Sequence, residues 1–375
     1  MADGGTSTSG RIAGLDAWRA GLMLGGLLVH GAIWQQGHPV FEAIALASHS
    51  FRMGTFFAIS GYLAACAMQR RSSEAWLRRR LVTLGVPFAF GMATIPPFMW
   101  WLAQLHGGAL AQSALPFDWH HLWFLAALLL YSAAAACWAG RLTAWFERTM
   151  PDPRALRTVL LATAVASGAL IMVSGALIKA MAPPAWWGAL TNARLIGGYL
   201  PMFALGYLAA RSIPLRESVM SNWRAPAATL LVIVGAYALW FLVLHPGPPD
   251  REDDLVGRIL PLIGASLCPP AVFVLVLQTA ARMKRTPPLV ATLCDASYTV
   301  YLLHLPLLAA INTGFGRVDW NPLVEFAIAT STAGALSLAF HVGVVRRSAL
   351  LKLLLNGEAP KAGLPQWTKR ATTSR

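Results

Sequence analysis

Arg19 and His30 stand eleven residues apart in LDAWRAGLMLGGLLVHGAIW, a stretch otherwise apolar enough to cross a membrane. Eleven steps around an α-helix come to three turns plus about 20°, so both side chains share one face, roughly 16 Å apart along the axis. A histidine ionises near neutral pH and suits general-base work. An arginine is a permanent cation that holds an anion or a developing oxyanion. Near a helix end an arginine is also placed to snorkel to the headgroups. A histidine deep on the same face has no such escape.

Three other apolar stretches carry groups of the same kind. In ASHSFRMGTFFAISGYLAA, His49 and Arg52 are three apart and share a face; Ser60 there suits close helix packing. DWHHLWFLAALLLY opens with His120 and His121, placed to line the mouth of a cavity, beside tryptophans suited to an interfacial belt. In CDASYTVYLLHLPLL, Asp295, Tyr298, Tyr301 and His304 advance by threes, a polar stripe that must turn away from lipid. His341 reads as structural. The expectation is an intramembrane cavity with His30, His49, Arg52 and His304 at similar depth. No HExxH, GxSxG, Walker or CxxC pattern occurs, and no metal site is expected. Cys66, Cys137, Cys268 and Cys294 all fall in apolar segments, as small hydrophobes do. A chain of intramembrane carboxylates, as in proton pumps, is also missing.

The elements that must position these groups follow from composition. The chain has 375 residues, 56% hydrophobic and 12% charged, with mean hydropathy +0.54. A soluble domain carries about 25% charged residues. The fold class is therefore all-α, a polytopic membrane protein with kinked helices around a central cavity. Ten spans are expected, at about 15–35, 43–68, 81–103, 119–140, 158–179, 192–210, 225–244, 256–280, 289–311 and 322–345. Residues 1–13 are polar and the first apolar stretch is long enough to span, so it reads as an uncleaved span. Prolines 87, 96 and 97 in the third span, and 261, 269 and 270 in the eighth, predict kinks or breaks.

The net charge of +14 does not point to nucleic acid, because the cations sit in short loops between spans. With the N-terminus inside, the inner side holds 23 Lys and Arg against 5 outside, leaving Arg19 and Arg52 within spans. Both termini are thus expected in the cytoplasm, and the loop HPGPPDREDD outside. The chain divides into a cytoplasmic N-terminal segment (1–14), one membrane domain (15–350) and a polar cytoplasmic tail (351–375). No internal repeat is visible.

LDAWRAGLMLGGLLVH, HSFRMGTFFAISGYL, HLWFLAALLLY and ASYTVYLLHLPLL, in this order, resemble the acyltransferase 3 family of membrane acyltransferases. Within it the likeness is greatest to the branch that succinylates periplasmic glucans. The resemblance implies that Arg19 and His30 form the family's Arg-x10-His pair, with His30 the catalytic histidine. It further implies an inner Arg-Arg-x-x-Arg pattern. Here WLRRRLVTLGVP keeps Arg79 and Arg80 and has Thr83 in place of the last arginine; Arg78 is the available substitute. The implied donor is cytoplasmic acyl-CoA, a polyanion attracted by Arg78, Arg79 and Arg80 together with Arg19. It acts as a substrate, and no permanently bound cofactor is expected. The implied acceptor is a hydroxyl of a periplasmic carbohydrate or glycolipid, with His49, Arg52, His120, His121, Tyr298 and His304 as substrate-binding candidates. Acetyl and succinyl both fit as the acyl group, and the expected location is the bacterial inner membrane. A second class fits the same side chains: a transporter or flippase in which buried His and Arg bind cargo. That class often shows repeated halves. A third is a catalytically silent relative acting as an assembly subunit.

Overall fold

The structure, a computed structural model, describes residues 14–35, 38–106, 118–149, 156–183, 186–244, 255–283, 285–315 and 320–359. The N-terminal segment 1–13, the acidic loop 245–254 and the tail beyond 359 lie outside the described residues. The described residues form helices and no strand. Apolar runs of span length close every backbone hydrogen bond within the segment, the condition hydrocarbon imposes. Nine helical segments are long and apolar enough to cross a membrane: α2 (Pro39–Met68), α3 (Ser73–Arg80) continuing into α4 (Val86–His106), α5 (Trp123–Thr149) and α6 (Leu156–Met181), then α7 (Trp187–Thr191) followed by the pair α8 (Ala193–Gly198) and α9 (Leu200–Arg211), and, after α10 (Ile213–Ser221), α11 (Arg224–Ala238), α12 (Leu255–Arg282), α13 (Pro288–Phe315) and α14 (Pro322–Gly343).

The first expected span, α1 (Gly14–Ile33), is a 20-residue helix, about 30 Å long at 1.5 Å per residue. Its Asp16, Arg19 and His30 make it less apolar than the other nine, and it packs among α2, α12, α13 and α14. All ten expected spans thus coincide with helices. By contrast α11 shows Leu231, Val232 and Leu242 outward. Its Tyr237 hydroxyl reaches Ser50 of α2 (3.0 Å) and the Leu260 carbonyl of α12 (3.3 Å).

The prolines do not end their helices. Pro96 and Pro97 lie inside α4, and Pro261, Pro269 and Pro270 inside α12. Pro87 follows a π-helical turn, Leu81–Gly85, between α3 and α4, where a widened turn absorbs the missing N–H. The real interruption is at Tyr199, between Gly198 and the α9 start that carries Pro201. Of the cysteines, Cys268 is buried, Cys66 and Cys294 partly so, and Cys137 is exposed on α5.

The most extensive helix pair is α2 with α9. Gly61 faces the Phe203 carbonyl and Gly206 faces the Ala58 carbonyl, each so closely that a Cβ would overlap backbone. Two glycines on facing helices let the backbones touch, which replaces the hydrophobic drive that lipid cannot supply.

At the arginine-rich end a polar clasp joins the last elements. His341 is 1% exposed; its Nε2 lies 3.2 Å from Asp295 Oδ2, which also accepts from Arg346 Nε at 2.8 Å. Thr299 Oγ1 lies 2.8 Å from His341 Nδ1 and donates to Asn356 Oδ1 at 2.9 Å. Asn356 ends α15 (Ala349–Asn356), which packs on α4. Gly357 follows at φ +65°, where a Cβ would also overlap the Thr83 backbone; both the left-handed cap and the contact demand glycine. The structural role expected of His341 is what it performs.

Gly206→Ala is expected to lower the melting temperature in detergent, by roughly 1–3 kcal/mol of strain. Gly140→Ala, where a Cβ meets nothing within 4 Å, is expected to leave it unchanged or raise it; differential scanning fluorimetry of the purified variants compares the two.

Candidate active site

About a turn before its histidine, helix α1 carries two glycines that admit a neighbour. A Cβ on Gly25 would lie 3.3 Å from Arg52 Cδ, and one on Gly26 3.2 Å from Arg52 Nη1 and 3.8 Å from His304 Nε2. The guanidinium of α2 therefore lies flat against α1. Its Nε donates to Ser48 Oγ at 2.8 Å, one turn back on α2, and its Nη1 to the Leu22 carbonyl of α1 at 3.3 Å. An arginine at this depth needs such partners.

The third contribution is the turn His120–Leu122 that opens α5. His120 has φ +43°, a left-handed conformation that costs a non-glycine residue about 1–3 kcal/mol. Surrounding side chains hold it. The His120 N–H donates to Asp118 Oδ1 at 3.2 Å, its carbonyl accepts from Asn192 Nδ2 at 3.3 Å, and the Tyr301 hydroxyl donates to the His121 carbonyl. The result turns His121 inward, to 4% exposure. Neither of its ring nitrogens finds a partner among the described residues.

The fourth contribution is His304 of α13, 1% exposed. Its Nδ1 donates to the Tyr301 carbonyl at 2.6 Å and lies 3.1 Å from that of Val300. Ring centres are 5.2 Å apart for His30 and His304, 5.0 Å for His121 and His304, and 6.1 Å for His30 and His121. These side chains line a cavity of 380 Å³ with His49, Arg52, His120, Tyr199 and Tyr301, walled by Met53, Phe56, Trp123 and Phe124. Tyr199 stacks between Phe57 and Trp123. Among the described residues no group of three or more His, Cys, Asp or Glu has the arrangement to hold a metal ion.

Of the residues picked out by type and spacing, His30, His49, Arg52, His120, His121 and His304 therefore meet in one cavity. His121 lies at its centre, deeper than the mouth position expected of it. Tyr298 does not line the cavity; Tyr301, one step along the same stripe, does. Arg19 is not among the lining residues either. It belongs to a second group at the arginine-rich end, where Arg80 interacts electrostatically with Arg19 and Tyr298. Arg80 is the inward member of the arginine run: its Nε is buried without a partner, and its guanidinium lies 5.8 Å over the Trp76 ring. Arg79 is exposed, and Arg78 is exposed and paired with Glu74 at 2.7 Å. Thr83 Oγ1 turns back onto the Arg79 carbonyl at 2.9 Å.

Tyr199, Asn192 and Asp118 were not anticipated. A Gly-Gly before Tyr199 and a proline two residues after it are the available signal of a helix break; nothing marks Asn192.

The arrangement provides basic ring nitrogens and a fixed cation in a pocket with aromatic walls, with a separate cationic group at the far end of the same helix. That combination suits proton removal from a hydroxyl beside a developing oxyanion. Residues 12–342 match the model of the family described as acyltransferase domain. Curated relatives include the glucans biosynthesis protein C of Escherichia coli strains K12 / DH10B and O1:K1 / APEC, each 32% identical over 138 residues, or 31% of this chain and 36% of the relative. The chain thus spans about a third of the length of the curated relatives it matches. No solved structure matches. With nearly its whole length matched, this multi-pass membrane chain belongs to the acyltransferase 3 family.

Proposed function

We propose that the protein is an O-acyltransferase of the bacterial inner membrane that moves an acetyl or succinyl group from cytoplasmic acyl-CoA to a hydroxyl of a cell-envelope carbohydrate. The observation that carries this reading is the division of α1. Its Arg19 lies with Arg80 at one end, and its His30 lies in the histidine cavity roughly 16 Å further along. The arginine end suits the phosphates of the donor, and the cavity suits the thioester and the acceptor hydroxyl. Over a stretch of 138 residues the chain matches relatives named glucans biosynthesis protein C, and that likeness supports a glucan as the acceptor.

In this reaction His30 takes the hydroxyl proton as the oxygen attacks the thioester carbonyl. The tetrahedral oxyanion is met by Arg52 and by an N–H of His121, whose ring nitrogens are otherwise without partners. Attack has already formed the ester C–O bond; collapse of the oxyanion restores the carbonyl and breaks the C–S bond, and the thiolate of coenzyme A receives the proton from His30. Asp118, which also lines the cavity, lies 3.6 Å from His120, and on this route His30 carries the proton.

His30→Ala is expected to lower acyl transfer by at least ~100-fold in proteoliposomes supplied with labelled acyl-CoA and a glucan, with expression intact. Wild-type turnover by that variant would remove His30 from the chemistry. Arg80→Ala is expected to raise the KM for acyl-CoA about tenfold, equivalent to roughly 1.4 kcal/mol, with kcat little changed. Arg78→Ala, exposed and paired only with Glu74, is expected to change the KM less than twofold. Equal effects of the two substitutions would move the donor site elsewhere. Mass spectrometry of envelope glycans with and without the gene reads the acyl mass and the acceptor together; identical glycans would point to another acceptor class.

A further inference from the structure

A histidine base works only if the nitrogen facing the substrate is the unprotonated one, and something must fix that choice. Among the described residues no hydrogen bond of the His30 side chain fixes it. His304, by contrast, has its own tautomer settled. Carbonyl oxygens only accept, so the Nδ1 that binds the Tyr301 carbonyl at 2.6 Å carries the proton. In the neutral ring Nε2 is then a pure acceptor. It is buried without a partner, and it faces Gly26, one helical turn from His30 on α1, at 3.8 Å from where a Cβ would stand.

We propose that His304 is the positioning residue for His30, its Nε2 accepting the N–H of His30 and leaving the other His30 nitrogen bare toward the acceptor hydroxyl. The distance suits this. Two imidazoles joined by an N–H···N bond have centres about 5 Å apart, and the His30 and His304 centres are 5.2 Å apart. Ring orientation, at 48° between planes, is the remaining variable, and a torsional turn of the His30 ring changes it without moving either helix. His121, 6.1 Å from His30, is the more distant ring. During transfer His304 keeps its own proton on Nδ1. The hydroxyl proton enters His30 on the substrate side and leaves from there to the departing thiolate, so His304 gains and loses nothing. Without it the wrong tautomer of His30 faces the hydroxyl for part of the time, and the charged ring formed in the transition state loses its partner.

This inference rests on His30 being the base, and the test separates the two. The full-length protein is reconstituted with His30→Ala, His304→Leu or His304→Gln, each first shown to elute as a single species in detergent. Leucine fills the volume without an acceptor; glutamine offers an amide oxygen near the position of Nε2. The expected result is a kcat at least ~100-fold down in His304→Leu, KM values for acyl-CoA and acceptor within twofold of wild type, and a kcat at least tenfold higher in His304→Gln than in His304→Leu. An inactive His30→Ala beside a His304→Leu of wild-type kcat overturns the inference and leaves the base in place. A His304→Gln no better than His304→Leu, or a loss confined to KM, also overturns it, since packing or substrate contact then explains the residue. An active His30→Ala overturns both readings.

Discussion

Hydrocarbon offers no hydrogen bonds, so every polar side chain in a span must find its partner within the protein. Most of the architecture around α1 answers that demand. The helix that carries Asp16, Arg19 and His30 is packed among α2, α12, α13 and α14, while apolar helices such as α11 take the periphery. Inside, the same demand is met residue by residue. Arg52 is held by Ser48 and the Leu22 carbonyl, His304 by two carbonyls of its own helix, and the strained His120 turn by Asp118, Asn192 and Tyr301. What is left unmet is informative for that reason. Among the described residues three ring nitrogens, two on His121 and one on His304, are buried without partners, and both rings line a single cavity.

The two polar groups on α1 are separated along its axis, and each is completed by different helices. The cavity draws on α2, α5 and α13; the arginine end draws on α3 and the base of α13. That division suits the proposed transfer, in which the donor enters at one end of α1 and the acceptor at the other. The arginine run illustrates how burial sorts like residues. Arg78, Arg79 and Arg80 are adjacent in the chain, yet only Arg80 turns inward over Trp76 with a buried, unpartnered nitrogen. At Thr83 the side chain returns to the Arg79 carbonyl, and its backbone is covered by Gly357. The position that holds an arginine in the family pattern is thus occupied by a contact between helices.

Much of this was legible in the chain itself. Twenty apolar residues in a row admit one structure in a bilayer, and all ten expected spans are helices. Histidines and arginines in such runs carry a cost that only a protected site relieves, so His30, His49, Arg52 and His304 could be placed together before any coordinates. Less visible were groups whose role depends on backbone. Spacing could not tell Tyr298 from Tyr301, because steps of three drift around a helix, and α13 turns the later tyrosine toward the cavity. Gly25 and Gly26 looked like ordinary small residues until Arg52 lay across them. Asn192 acts through a carbonyl 72 residues away in sequence, a relation no local pattern encodes. At the prolines kinks or breaks were expected; the helices continue through them, α12 through three, and the interruption falls at Tyr199.

The composition of α1 also bears on how the protein is made. Asp16, Arg19 and His30 make α1 costly to leave alone in lipid, as Glu42, His49 and Arg52 do α2. Of the surfaces that shelter α1, that of α2 emerges from the ribosome at once, while that of α13 follows some 270 residues later. The polar groups of α1 thus have their full set of neighbours only once α13 and α14 have been made, and the cavity that His30 and His304 share needs nearly the whole chain to be present.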